Sequence, residues 1–221
     1  MSSAAAALPC APEFDAGFRK ALRDLFVWRR DVRRFLRRPL PAGALERLLE
    51  VANLAPSVGL SQPWRFVVVE DAARRAAVRA SFEGCNDEAL RAQGDPDRAT
   101  LYARLKLAGL DDAPCQLAVF ADRSTLQGHG LGRRTMPETI DYSAVIAIHT
   151  LWLAARTEGI GVGWVSILDP ARIAAILETP ESWKLIGYLC LGYPAEDCNT
   201  PVLEQKGWEQ RRTAAATIVW R

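Results

Sequence analysis

Residues 159–166 read GIGVGWVS and mark the point where a long apolar segment gives way to a shorter one. Gly159 stands where a helix would take its C-terminal cap, a position at which glycine tolerates left-handed backbone angles. Gly161 and Gly163 then follow at every second position. Glycines inside a strand let a second backbone, or a flat ring, come close to it. The stretch therefore predicts a helix end followed by a strand over residues 160–168.

The flanking segments predict a single layered domain. Residues 138–158 are apolar nearly all round, which indicates a central or interface helix. β-Branched and aromatic runs predict further strands at residues 64–70, 115–121 and 183–191. Helical spacing predicts helices at residues 15–28, 41–54, 71–82 and 98–110, with a polar loop at 83–97. The alternation of elements is typical of an α+β or α/β domain.

Composition excludes several classes of protein. The chain has 221 residues, of which 49% are hydrophobic, and its 28 basic and 26 acidic residues give a net charge of +2. These values do not fit a fibrous or disordered protein. The longest apolar stretch, residues 144–155, is too short for a membrane span, which needs about 20 residues. We expect a flexible tail at residues 1–13 and one domain over 14–221.

The cysteines and the N-terminus predict a cytoplasmic protein. The five cysteines are odd in number and contain no Cys-x-x-Cys pair, which favours reduced thiols over disulfides or a zinc site. The first residues lack the basic start of a secretory signal. His129 and His149 have no cysteine or carboxylate at ligand spacing, so no metal is expected. The sequence also has no motif of the common hydrolases or nucleotide triphosphatases.

Arginine is concentrated in one short segment. Of the 28 basic residues 24 are arginine, and six of these lie between positions 29 and 38. Arginine forks suit phosphate, so Arg29, Arg30 and Arg33 form a candidate phosphate site, and Asp31 among them is a natural ion-pair partner. A solvated basic surface is the alternative. Nucleic-acid binding is disfavoured because the rest of the chain is balanced in charge. The candidates for acid–base chemistry are Asp31, Ser166, Asp141, Tyr142 and a bound cofactor.

Several motifs together resemble the FMN-dependent nitroreductase family over nearly the whole chain. They are RRDVRRF at 29–35, APS at 55–57, QPWRF at 62–66, GIG at 159–161 and LGYP at 191–194. The resemblance implies a three-layer α+β fold, with a mixed sheet, helices on both faces and an interlocked homodimer. It also implies an FMN site whose phosphate is held by the arginine segment and Arg211. The implied FMN-binding residues are Arg29, Arg30, Asp31, Val32, Arg33, Ser57, Ser61, Gln62, Trp164, Val165, Ser166 and Arg211.

Two departures resemble one branch of that family, which forms 5,6-dimethylbenzimidazole. Asp31 stands where most members have serine, and the run TMPETIDYS at 135–143 precedes GWVSILDP at 163–170. This resemblance implies that reduced FMN is a substrate, cleaved with O2 to 5,6-dimethylbenzimidazole, the lower ligand of cobalamin, and D-erythrose 4-phosphate. Asp31 and Ser166 would be catalytic, and a separate NAD(P)H flavin reductase would supply the reduced FMN.

Other functions stay open at this point. The nearest alternative is an NAD(P)H-dependent nitroreductase or flavin reductase that retains its FMN, and a reductive dehalogenase of the same fold is a lesser one. A non-enzymatic protein that binds flavin phosphate or nucleic acid is an alternative of a different class. The fate of reduced FMN in air distinguishes the flavin-cleaving enzyme from all of these.

Overall fold

The computed structural model describes residues 11–221. The predicted tail at residues 1–13 therefore lies outside the described residues apart from its last three positions. The helices are α1 (Ala16–Trp28), α2 (Ala44–Ala52), α3 (Ala72–Arg91), α4 (Pro96–Ala103), α5 (Thr139–Thr157), α6 (Pro170–Leu177) and α7 (Val202–Gln205). The strands are β1 (Trp64–Val68), β2 (Cys115–Asp122), β3 (Gly161–Val165) and β4 (Trp183–Gly192). Up to β4 their order along the chain is the predicted one, whereas the sequence did not predict α7.

The four strands form one sheet in the order β1-β2-β4-β3. All three pairings are antiparallel, and the parallel component of the expected mixed sheet is the isolated bridge between Asp31 and Val162. The four strands themselves therefore form an antiparallel sheet, and the expectation of a mixed sheet is wrong for them. The physical reason is that the chain leaves β1 and enters β2 at the same end of the sheet, so α3 and α4 form an excursion and not a parallel crossover.

Helices cover both faces of the sheet, which confirms the α+β class. On one face, Leu117, Val119, Leu189 and Leu191 are fully buried against α2 and α5. On the other, Ala118, Phe120, Tyr188 and Cys190 are equally buried, against residues of α3 and α6. The two sets alternate along β2 and β4, as expected of strands buried on both sides. This core fixes β3, the edge strand on which the candidate site is built.

The largest difference from the predicted elements concerns residues 83–97. The prediction of a loop is wrong over 83–91, because α3 continues to Arg91, and α4 begins at Pro96. This half of α3 is mostly exposed and carries no apolar stripe that would reveal it in sequence. Local bonds stabilise it instead, including the Arg79–Glu83 ion pair one turn apart. Tyr102 of α4 also donates a hydrogen bond to Asn86 Oδ1 at 3.0 Å.

Candidate active site

The arginine segment docks on the outer edge of β3. The Val32 N–H donates to the Val162 carbonyl at 3.0 Å, and a Cβ added at Gly163 would overlap the carbonyl oxygen of Val32. A Cβ at Gly161 would meet the Val32 side chain. The glycines are therefore required for close approach of a second backbone. Their other interpretation, contact with a flat ring, is not supported at these two positions, because Val32 fills the space.

Asp31 links this segment to β3 through its side chain. Its Oδ1 accepts from the Trp164 N–H at 2.8 Å, and its Oδ2 accepts from Arg33 Nε at 2.8 Å. Arg33 also donates to the Lys106 carbonyl at 3.1 Å. The Asp31 side chain nevertheless remains 32% exposed. Each carboxylate oxygen thus makes one hydrogen bond to the protein and keeps capacity to accept another.

Three arginines meet beside Asp31. Arg29 lies over the ring of Trp152, 4.9 Å from its centroid, and Arg30 donates to the Asn199 carbonyl at 2.6 Å. Burial lowers the pKa of Arg29, and the nearby charge of Arg211 lowers it further. Burial likewise lowers the pKa of Arg30, followed by the charges of Arg211 and Arg29. The three cations therefore repel one another, which a bound anion would relieve.

The space between these arginines is shaped to admit an anionic group. A cavity of about 130 Å³ is lined by residues that include Arg29, Arg30, Arg33 and Arg211. The Arg30 Nε atom is buried and has no hydrogen-bond partner among residues 11–221. Such a donor is costly unless a ligand satisfies it. A neighbouring cavity of about 240 Å³ extends from Asp31 to Lys106 and Cys198.

The three residues at the end of β3 that are predicted to bind FMN differ in what they present to a ligand. Ser166 follows the last residue of β3 and is exposed. The Trp164 ring lies 6.4 Å from that of Trp152 and sits over Gly187. The Val165 side chain is buried in the core. Val165 is thus not accessible to a ligand in the single chain, whereas Ser166 is exposed.

The remaining predicted residues lie at the opposite edge of the sheet. Ser57, Ser61 and Gln62 precede β1, which is separated from β3 by β2 and β4. Three strand spacings amount to roughly 14 Å.

We call the group around Asp31 the arginine half-site (Arg29, Arg30, Asp31, Val32, Arg33, Trp164, Val165, Ser166 and Arg211). We call the other group the serine half-site (Ser57, Ser61 and Gln62). One chain does not bring the two together.

The serine half-site is a tight turn. The Ser57 hydroxyl accepts from the Gln62 N–H at 3.1 Å, and the Gln62 side chain accepts from Gln127 Nε2 at 3.1 Å. Gly59, Leu60 and Gln62 all have positive φ angles. The Ser61 hydroxyl is buried with no partner among the described residues. Ser57 and Gln62 are partly exposed and could contact a ligand.

Sequence reasoning missed three residues that adjoin the arginine half-site. Trp152 supports Arg29 and donates to the Arg30 carbonyl at 3.2 Å, and Lys106 and Cys198 line the larger cavity. Trp152 lies in an apolar helix, where an aromatic residue is most simply interpreted as core. Lys106 and Cys198 are far from Asp31 in sequence. No local pattern could have indicated any of the three.

Two further observations concern metal binding and membrane-spanning helices. Residues 11–221 contain no group of three or more histidine, cysteine, aspartate or glutamate side chains that could hold a metal ion. Within the same residues, no helix has the length and apolar content that crossing a membrane requires.

The fold and the sequence together define the class of protein to which the chain belongs. Residues 26–193 match the sequence profile of the nitroreductase family, and the chain belongs to that family. It is by family an oxidoreductase. The solved structure of an oxidized iodotyrosine deiodinase bound to FMN and 3-iodo-L-tyrosine is similar, with a TM-score of 0.71 and 27% identity over 90% of this chain and 97% of that one.

Particular relatives are closer in sequence. The chain is 56% identical to a 5,6-dimethylbenzimidazole synthase of Rhodospirillum rubrum, over 91% of this chain and 95% of the relative. It is 45% identical to a 5,6-dimethylbenzimidazole synthase of Rhodobacter capsulatus, over 89% of this chain and 95% of that protein. The relatives are thus matched over nearly their whole length.

Proposed function

We propose that the protein is an O2-dependent 5,6-dimethylbenzimidazole-forming enzyme that cleaves reduced FMN, with D-erythrose 4-phosphate and the remaining pyrimidine portion of the flavin ring as the other products. The 5,6-dimethylbenzimidazole would supply the lower ligand of cobalamin. The observation that carries the proposal is the Asp31 carboxylate, held at 2.8 Å by both Arg33 and the Trp164 N–H beside a cavity lined by arginines. The similarity to relatives that bear the name of this activity supports the same conclusion.

The arginine half-site fits the phosphate of FMN. Arg29, Arg30 and Arg211 carry three positive charges that repel one another, and the buried Arg30 Nε has no partner in residues 11–221. A phosphate dianion would satisfy the donor and offset the repulsion. When bound, reduced FMN supplies the carbon skeleton of the product and the electrons that O2 accepts. The arginines give affinity and orientation.

Asp31 and Ser166 are the residues to which we assign the chemistry. Asp31 is held in place by Arg33 and β3 and lines both adjoining cavities, so a ligand there could use its free acceptor capacity. We assign it the role of orienting, or taking a proton from, a ribityl hydroxyl or ring position of the substrate. The exposed Ser166 hydroxyl follows β3 on the same edge and would donate a hydrogen bond near flavin N5.

A homodimer would complete the site by joining the two half-sites across subunits. Helix α1 has no buried residue although Phe18, Leu22 and Phe26 lie on it. Helix α5 exposes Tyr142, Val145 and Ile146, which are spaced by three and four residues and so lie on one helix face. Clustered exposed apolar side chains on two helices are typical of a subunit interface.

The proposal includes a source of electrons and a location. A separate NAD(P)H flavin reductase would deliver reduced FMN, and the reaction would take place in the cytoplasm. Cys85, Cys115, Cys190 and Cys198 are all free thiols.

The fate of reduced FMN in air tests the function. The protein is mixed anaerobically with reduced FMN and then exposed to O2, and flavin and products are separated by chromatography and identified by mass. We expect loss of the isoalloxazine and appearance of 5,6-dimethylbenzimidazole. Reoxidation to intact FMN would instead support an NAD(P)H-dependent nitroreductase or flavin reductase and would overturn the proposal.

A further inference from the structure

A second basic cavity lies apart from the arginine half-site. It measures about 710 Å³ and is lined by Arg123, His129, Gly130, Arg133, Arg134, Pro137, Glu138 and Ile140. None of these residues lines either cavity beside Asp31. The volume is within the range of small-molecule sites, about 300–1,000 Å³.

The charges around this cavity do not balance. Arg123 and Lys184 both bind one carboxylate, that of Asp141, at 2.7 and 2.8 Å. Arg133 and Arg134 have no ion-pair partner within the part of the chain that the structure describes. Glu138 is the one acidic residue of the lining. The lining thus carries three arginines and one carboxylate, which leaves two positive charges to be neutralised.

One guanidinium group is poised for a ligand. The Arg133 Nη1 atom is buried and has no hydrogen-bond partner among residues 11–221. A buried charged donor without a partner destabilises the protein. A ligand oxygen in the cavity would remove that destabilisation.

The backbone that carries Arg133 is fixed. Gly128, His129, Gly130 and Gly132 all have positive φ angles, so the chain turns repeatedly before Arg133. A Cβ at Gly128 would overlap the Gly59 carbonyl, and one at Gly132 would meet Val58. Gln127 also donates to the Leu60 carbonyl at 2.8 Å. The segment is therefore packed on the serine half-site turn, and Arg133 is held by a close-packed frame.

We propose that this cavity binds a phosphorylated small molecule, at a site separate from that of the FMN phosphate. Two unneutralised charges match a phosphate dianion, and arginine forks bind phosphate in bidentate geometry. The volume leaves room for the organic part of the molecule. The ligand could be a sugar phosphate, a nucleotide or free phosphate, which share the group that Arg133 and Arg134 recognise.

Calorimetric titration of the full chain tests the site. The probes are inorganic phosphate, ribose 5-phosphate and NADPH, and the variants are Arg133→Gln/Arg134→Gln and Arg211→Gln. Arg172→Gln, on the exposed start of α6, is the control. We expect two binding events for at least one probe. Arg211→Gln should weaken one event, and the double variant should weaken the other at least tenfold, while the control changes neither.

The three probes identify the source of the phosphate group. Tightest binding of ribose 5-phosphate indicates a sugar phosphate, that of NADPH a nucleotide, and equal binding of all three free phosphate. The proposal is overturned if no probe shows a second event, or if the double variant retains both events. Thermal melting of each variant checks its fold. The result does not depend on cleavage of reduced FMN, which is assayed in parallel and tests the proposed function alone.

Discussion

Asp31 combines a structural role and a proposed chemical one, and a conservative substitution separates them. Asp31→Asn keeps an oxygen for the Trp164 N–H but places an amide against Arg33, where a carboxylate now accepts. Because acid–base groups contribute about 10²–10⁴-fold to rate, we expect product formation to fall at least a hundredfold. FMN binding should weaken less than tenfold, because the other arginines remain.

Turnover and FMN affinity are measured separately for this variant. Asp24→Asn is the matched control, since Asp24 lies on the neighbouring helix and pairs with Lys20, one turn away. Product formation by Asp31→Asn at the wild-type rate would remove Asp31 from the chemistry.

Arg211 should show opposite effects on the free and the bound protein. Burial is the largest cause of the lowered pKa of Arg29 and Arg30, and the charge of Arg211 is the next largest. Arg211→Gln therefore relieves repulsion in the absence of ligand. FMN loses a charged contact at the same time. We expect FMN affinity to fall about tenfold or more, equivalent to about 1.4 kcal/mol, with no loss of thermal stability in the free protein. Arg212→Gln, one position later, is the control. Equal affinities of the two variants would contradict the assignment of Arg211.

Asp141 makes stability depend on pH. Burial alone would raise its pKa, but hydrogen bonds from Arg123 and Lys184 outweigh burial and lower it. A carboxyl with a lowered folded-state pKa stabilises the fold above its unfolded pKa of about 4, and that stability is lost as the pH falls through the lowered value. Asp141→Asn should therefore cost about 1 kcal/mol at pH 7, a modest figure because both cations are half exposed.

Urea unfolding at pH 7, 5 and 3 measures this contribution. The difference between wild type and Asp141→Asn should be constant from pH 7 to 5 and should shrink by pH 3. A difference that persists unchanged at pH 3 would show that packing, and not charge, is lost.

At the scale of elements, the glycines of β3 show what the sequence could predict. Their spacing indicated a strand with a close neighbour, and the structure confirms a close neighbour, the backbone of Val32. The spacing could not identify that neighbour, because Val32 lies far from β3 in the sequence. The end of α3 was missed for a related reason. An exposed helix has no apolar periodicity, so residues 83–91 resemble a loop.

Gly163→Ala tests the docking of the arginine segment on β3. The added methyl would overlap the Val32 carbonyl, and neither backbone can move without breaking pairing. We expect a loss of about 3 kcal/mol in unfolding free energy and weaker FMN binding. Gly84→Ala is the control, since its Cβ meets nothing and alanine favours helix α3 by about 0.5–1 kcal/mol. Denaturant unfolding of both variants checks this, and equal stabilities would contradict it.

At the scale of the whole molecule, sequence motifs predicted a set of site residues but could not predict their arrangement. Motif spacing could not reveal that the arginine and serine half-sites lie at opposite edges of one sheet. That follows from strand order, which depends on how α5 carries the chain from β2 past β4 to β3. A single chain therefore keeps the two proposed half-sites apart. The arrangement favours a site assembled between two copies, in which each supplies a different edge.

Complementation between two inactive chains tests this assembly. One chain carries Asp31→Asn in the arginine half-site, and the other carries Ser57→Ala/Gln62→Ala in the serine half-site. Both variants are expected to have low activity as homodimers. The two chains carry different affinity tags, so that mixed dimers can be isolated from co-expression by successive purification on both tags.

The mixed dimer gives different results for shared and unshared sites. If each site joins the arginine half-site of one subunit to the serine half-site of its partner, one of the two sites contains only wild-type residues. The dimer should then form 5,6-dimethylbenzimidazole at about half the wild-type rate, because one of two equivalent sites is intact. If both half-sites of a single chain formed the site, each site would contain one defect. Activity no higher than that of the two variant homodimers would therefore refute assembly across the interface.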